Sequence, residues 1–165
     1  MTRGRKPRVP RRIGNPMDIA KKRASRLTDA EIAELMAPLR ECAARLRTGV
    51  ASELQHDTLH TALQIADCIE ASGIVRGLRE HIGTALQASQ AIRDRAMATG
   101  TWRPTALYFY ELDAIREALD LHVYQLEQLS AGELQDIVTK LKARTASAGG
   151  RVVQVTEKDL GLLAA

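Results

Sequence analysis

Aromatic side chains are scarce in this 165-residue chain, and all five fall between positions 102 and 124: Trp102, Tyr108, Phe109, Tyr110 and Tyr124. There are two cysteines, Cys42 and Cys68. That is too few for a small disulfide scaffold, and they lie on different expected helices, so a reduced cytosolic pair is expected. No apolar run approaches the ~20 residues that a membrane span needs. No apolar stretch follows the basic start, so a secretory signal is not expected. No glycine-rich loop is built to cradle phosphate, and no nucleophile stands with a base and an orienting acid. The chain is therefore read as non-enzymatic, with no cofactor, no small-molecule substrate and no membrane association. No repeat of fixed period is present.

Acid is almost missing from the first 26 residues. They hold ten bases, Arg3, Arg5, Lys6, Arg8, Arg11, Arg12, Lys21, Lys22, Arg23 and Arg26, against the single acid Asp18, a net charge of +9. The other 139 residues hold 14 bases and 19 acids, a net charge of −5. An acidic body is repelled by phosphates that a basic leader attracts. Those ten residues are the candidate nucleic-acid contacts, with DNA favoured over RNA, and a cytoplasmic or nucleoid-associated protein is expected. Other acidic partners, or a leader that only adds solubility, are the bland alternatives. Three of the five prolines, Pro7, Pro10 and Pro16, stand in residues 1–16 with Gly4 and Gly14. Such a segment builds no core and reads as loosely extended. Residues 17–26 have the makings of a short basic helix.

The body reads as all-α, an up-down bundle of four long helices with a short fifth. Thr28 and Glu31 form a capping box ahead of Ile32, Leu35, Met36, Leu39, Ala43 and Leu46, with a kink expected at Pro38. Further helices are expected over about 51–72, 75–99 and 105–129. Ser130 and Glu133 make a second capping box, opening the short fifth helix with Leu134, Ile137, Val138 and Leu141. The expected divisions are a flexible basic tail over 1–26, the bundle over 27–145 and a flexible segment over 146–165. Within the last, 151–155 has strand character, and the apolar end is expected to be mobile.

Several residues invite sharper readings. His56 and His60 stand four apart in "HDTLH", the outline of a zinc-protease motif with Asp57 in the place of the acid. The wheel of that helix turns both away from the apolar face, so they are expected to face water, without metal. His122 falls within the apolar stripe of the fourth long helix and reads as a core histidine satisfied by one hydrogen bond. Trp102, Tyr108, Phe109 and Tyr110 read either as a local core over the bundle end or as a partner or self-association surface. Base stacking by Trp102 or Tyr110 is a third reading. A helix-turn-helix over 65–82 is disfavoured, because Ala66 and Gly73 are seven apart where that motif needs about four.

Arg3-Gly-Arg-Lys-Pro7 resembles the AT-hook core, with Lys6 interrupting it; the likeness implies a minor-groove contact. The layout as a whole resembles basic-tailed helical proteins of proteobacterial phages and plasmids, a likeness that brings no activity with it. Residues 4–7, Gly-Arg-Lys-Pro, and 14–16, Gly-Asn-Pro, also resemble the start of phage small terminase subunits, which implies an assembly role on DNA. Where that family continues Gly-Lys-Arg, this chain has Met17, Asp18 and Ile19. The terminal Leu-Leu-Ala-Ala resembles the end of a bacterial degradation tag.

Overall fold

The computed structural model describes residues 15–150 and 152–162. They form six helices: α1 Pro16–Ala24, α2 Asp29–Arg47, α3 Glu53–Ser72, α4 Arg79–Ala96, α5 Phe109–Gln128 and α6 Ala131–Ser147. The described residues contain no strand, only an isolated antiparallel bridge between Arg26 and Ser130.

Capping fixes the helix starts. Thr28 Oγ1 accepts from the Glu31 N–H, and the Glu31 carboxylate accepts from the Thr28 N–H at 2.9 Å. The same reciprocal pair joins Ser130 to Glu133 and, unforeseen from the sequence, Ser52 to Gln55. Each box satisfies two N–H groups that an isolated helix end leaves without partners. α2 passes through Pro38 as one helix. α3 stops at Gly73, whose φ of 77° is the left-handed conformation that glycine adopts without a Cβ penalty.

Four helices close a ring: α2 packs on α3, α3 on α4, α4 on α5 and α5 on α2. Their facing stripes form the main core, including Met36, Leu46, Leu59, Leu63, Ala85, Ile92, Ile115 and Leu126. α6 lies outside the ring against α3, over a smaller core of Ile69, Val75, Leu129 and Ile137. α1 in turn rests on α6.

Three expectations are corrected. The fifth helix of the body is not short: α6 has 17 residues, one fewer than α4. Residues 152–155 are not a strand, since none of their backbone groups is paired with another strand. The end of the chain is anchored as far as it is described. Leu160 is only 5% exposed within the main core, and its carbonyl accepts from Gln55 Nε2 at 2.6 Å. Arg45 donates to the Gly161 carbonyl, and a Thr156–Asp159 capping pair shapes the turn before it.

The basic leader is not uniform either. Residues 16–24 are helical: Asn15 Oδ1 accepts from the Met17 N–H, and Pro16 opens the helix. Asp18 sits at the positive end of the helix dipole and Lys21, Lys22 and Arg23 at the negative end. No residue of α1 is buried. Its attachment rests on backbone bonds, from Ala131 N–H to Ser25 O at 3.0 Å and from Leu27 N–H to Leu129 O at 3.3 Å. Arg23 adds an ion pair to Asp136 at 2.8 Å.

Gly132 makes this approach possible, because a Cβ there would sit 2.9 Å from the Arg23 carbonyl oxygen. Substituting Gly132→Val should push α1 away at a cost of about 1–3 kcal/mol, the usual range for overpacking. Hydrogen exchange is expected to quicken at the Leu27 and Ala131 amides while the amides of α3 stay protected. Unchanged protection at Leu27 and Ala131 would show that α1 is not held there.

Candidate nucleic-acid interface

The ten basic residues named from the sequence divide three ways. Arg3, Arg5, Lys6, Arg8, Arg11 and Arg12 lie outside the described residues. Lys21 and Lys22 are exposed in the last turn of α1 and form no ion pair among the described residues. Arg23 is tied to Asp136. Arg26 is exposed and close enough to Glu133 to help hold that carboxyl below its ordinary range, behind the larger effect of hydrogen bonds from Ser130. Of the four cations at 21–26, Arg23 and Arg26 are thus partly occupied by α6 acids, and Lys22 is near enough to Glu31 to help lower that carboxyl, behind the larger effect of hydrogen bonds from Thr28.

The aromatic stretch also divides. Trp102 is part-buried and turned inward: its Nε1 donates to the Ala51 carbonyl at 2.7 Å, and its ring lies 5.0 Å from that of His56. The next three point outward, with Phe109 73% and Tyr110 71% exposed and Tyr108 about half exposed. Tyr108 and Tyr110 stack with centroids 5.7 Å apart. Arg95 lies over the Tyr108 ring at 4.7 Å and Arg47 over the Phe109 ring at 5.7 Å. Arg95 also pairs with the buried Glu111, which raises the guanidinium further above its usual range. Arg47 pairs with Asp113 at 2.9 Å. The aromatic stretch is therefore split between an inward Trp102 and an outward Tyr108, Phe109 and Tyr110.

His56 and His60 contradict the expectation that they face water. His56 is 1% exposed and its Nε2 is 3.0 Å from the Ser89 carbonyl. His60 Nδ1 lies 3.0 Å from Ser89 Oγ and is only part-buried. The wheel placed them opposite the centre of the apolar residues, but α3 packs against α2, α4, α5 and α6, leaving little of its circumference open. Asp57 and Glu53, on the same side, both pair with Arg93 of α4.

Asp57, His56 and Ser89 trace the outline of an acid-base-nucleophile set. A carbonyl only accepts, so His56 Nε2 carries the proton that it gives to Ser89 O. That nitrogen has no lone pair left to take a proton from Ser89 Oγ, and Ser89 itself is 1% exposed. The cluster is a polar joint between α3 and α4. No group of three or more His, Cys, Asp or Glu placed to hold a metal occurs among the described residues.

Sequence reasoning also missed Gln55, Glu70, Glu111 and Gln125, all buried. Glu70 holds the loop after α3 by accepting from the Gly77 N–H at 2.9 Å. Gln125 joins α5 to the Ala66 carbonyl and meets His122 Nδ1 at 3.1 Å, the single hydrogen bond foreseen for that histidine. Cys42 and Cys68 are both free, and burial pushes the Cys42 thiol up to about 11.

Comparison with protein-family models, with curated proteins and with solved structures finds no match to this chain.

Burial lowers the pKa of His60 and His122 below the ordinary 6.5. For His60 the neighbouring His56 and Arg93 act in the same direction, and Asp57 opposes them. The folded chain therefore binds fewer protons than the unfolded chain below about pH 6.5. Stability should be whole above that pH and fall as the pH drops through it toward the folded values. The urea midpoint is expected to be lower at pH 5.5 than at pH 7.5, and the drop should shrink in His122→Gln. An equal or higher midpoint at pH 5.5 would contradict the burial of neutral imidazoles.

Glu111 supplies a second test. Removing its partner by Arg95→Met leaves a buried carboxylate uncompensated, at a cost of roughly 3 kcal/mol. Denaturant unfolding should show that loss, with much of it recovered in the Arg95→Met/Glu111→Gln double variant.

Proposed function

We propose that this is a non-enzymatic, nucleic-acid-associated helical protein whose basic leader contacts the phosphate backbone or minor groove of DNA. The helical body, arranged as an up-down bundle of α2 to α5 with α6 outside, carries partner contacts or oligomerisation. The division of charge carries this proposal: +9 over residues 1–26 against −5 over the rest. Lys21 and Lys22 on α1 add support, because both stand exposed and neither forms an ion pair among the described residues. The body as a whole is acidic, so duplex binding is expected to run through the leader and to weaken with salt as counterions return to the DNA.

A second reading is a helical adaptor or assembly protein, including a small-terminase-like role. The outward Tyr108, Phe109 and Tyr110 favour it, since exposed aromatics serve as anchors for protein partners.

Substituting Arg3, Arg5, Lys6, Arg8, Arg11 and Arg12 by Gln in the full chain discriminates between the two. With about six phosphate contacts, wild-type affinity for mixed-sequence duplex should fall with a log-log salt slope of about −5, roughly a thousandfold between 50 and 200 mM salt. The substituted chain is expected to lose most of that slope and of the low-salt affinity. Equal duplex binding by both chains would remove the leader from DNA recognition.

A further inference from the structure

Beside the exposed aromatics, α2 and α5 leave a cleft of about 340 Å³. Its floor is apolar, formed by Ala43, Ala44, Leu46, Leu112, Ile115 and Leu119. Its polar lining is Arg40, Arg47, Arg116 and Asp120. Asp113 bridges two of the arginines, at 2.9 Å from Arg47 and 4.0 Å from Arg116. Arg40 is exposed and has no ion-pair partner among the described residues. Three guanidinium groups thus face two carboxylates, an excess of positive charge on a body whose net charge is −5. Arg47 links the cleft to the aromatic patch, because the same guanidinium lies over the Phe109 ring. No side chain caps the start of α5, where Tyr108 stands at the N-cap and the Glu111 N–H already donates to its carbonyl at 3.1 Å, so only the N–H groups ahead of Glu111 lack a capping partner there.

We propose that this cleft and the adjoining Phe109–Tyr110 surface bind single-stranded nucleic acid, with bases stacked on the aromatic rings and phosphates against Arg40, Arg47 and Arg116. Flat exposed rings beside a guanidinium-lined track are what sequence-tolerant single-strand recognition requires, because every base has a stacking face and every linkage a charge. The pairing of Tyr108 with Tyr110 and the Arg95 contact hold the patch in place, so little ordering is needed on binding. A second copy of this chain fits the surface less well. Two-fold symmetry would set the same arginine-rich patch against itself, repelling where a polyanion is attracted. The inference goes beyond the leader's contact with duplex and does not depend on it.

The test uses the full chain with two fluorescein-labelled probes, an oligothymidylate of ~12 nucleotides, a length within the usual single-strand site size, and a mixed-sequence duplex of equal length. Substituting Phe109→Ala/Tyr110→Ala should weaken oligothymidylate binding by about tenfold or more, given the usual loss per stacked base. Duplex affinity should change less than about twofold, since the leader's phosphate contacts are untouched. Arg40→Gln/Arg116→Gln, two exposed positions whose replacement leaves the core intact, should reduce the single-strand salt slope by about 1.4. Equal oligothymidylate affinity in wild type and both variants overturns the proposal. So does loss of self-association in Phe109→Ala/Tyr110→Ala, read by light scattering, with oligothymidylate binding unchanged. The outcomes separate the two sites: a leader variant that keeps single-strand binding and loses duplex binding supports both. Duplex binding without any oligothymidylate binding in wild type sinks the cleft alone.

Discussion

α3 has almost no free face, and the remainder of the structure accommodates that fact. It packs against α2, α4, α5 and α6, four of the other five helices. A helix so enclosed must satisfy its polar side chains inside the protein, since an unpaired buried polar group costs on the order of 1–3 kcal/mol. Its neighbours supply most of the partners, with Glu70 Oε2 the exception among the described residues. Ser89 of α4 meets His56 and His60, Arg93 of α4 takes Asp57 and Glu53, and Gln125 of α5 reaches the Ala66 carbonyl. The chain end answers Gln55 with the Leu160 carbonyl. These contacts fix which helix lies beside which, a choice that apolar stripes alone leave open. They also explain how α3 carries acids and histidines inside the protein: most of these polar groups are engaged by the helices around it.

With the interior settled in this way, charge left without a partner lies at the edges. α3 contributes Glu53, Asp57, Asp67 and Glu70 and no Lys or Arg, while α5 sets five acids against the single Arg116, so the acidic excess of the body is shared by these two helices. Cations collect where helices meet solvent: on α1, which merely rests on α6, and along the α2/α5 cleft with its outward aromatics. The ion pair of Arg23 with Asp136 and the proximity of Arg26 to Glu133 show how lightly the body engages the leader. Contacts this exposed are worth about 0–1 kcal/mol each and weaken further with salt. A polyanion competing for the same guanidinium groups meets little resistance from them.

Much of the fold was legible because its signals are local. Thr28–Glu31 and Ser130–Glu133 mark helix starts by residue type and spacing alone, and the 3-4 pattern of Leu112, Ile115, Leu119, His122 and Leu126 marks a buried face. The Ser52–Gln55 box followed the same pattern with glutamine in place of glutamate and was passed over. What the sequence hid is set by long-range neighbours. The burial of His56 depends on Ser89 and Trp102, 33 and 46 positions away, and a helical wheel drawn from α3 alone cannot include them. Leu160 looks like part of a loose end until its place in the main core and its bond from Gln55 are known. The aromatic cluster was visible as a cluster, but its division into an inward Trp102 and an outward Phe109 and Tyr110 follows from where the loop after α4 meets Ala51. The cleft arginines, spread over Arg40, Arg47 and Arg116, give no sequence signal because they come from two helices and are outnumbered by nearby acids.

The central claim is that nucleic acid touches the cationic edges of this protein and leaves its acidic middle helix alone. A chemical-shift footprint on the full isotope-labelled chain, recorded as oligonucleotide is added, tests it residue by residue. The account predicts that the amides of Lys21, Lys22, Arg47, Phe109 and Tyr110 move while those across Glu53–Ser72 keep their positions. Movement concentrated on α3 and α6, or no movement anywhere at saturating oligonucleotide, would contradict it.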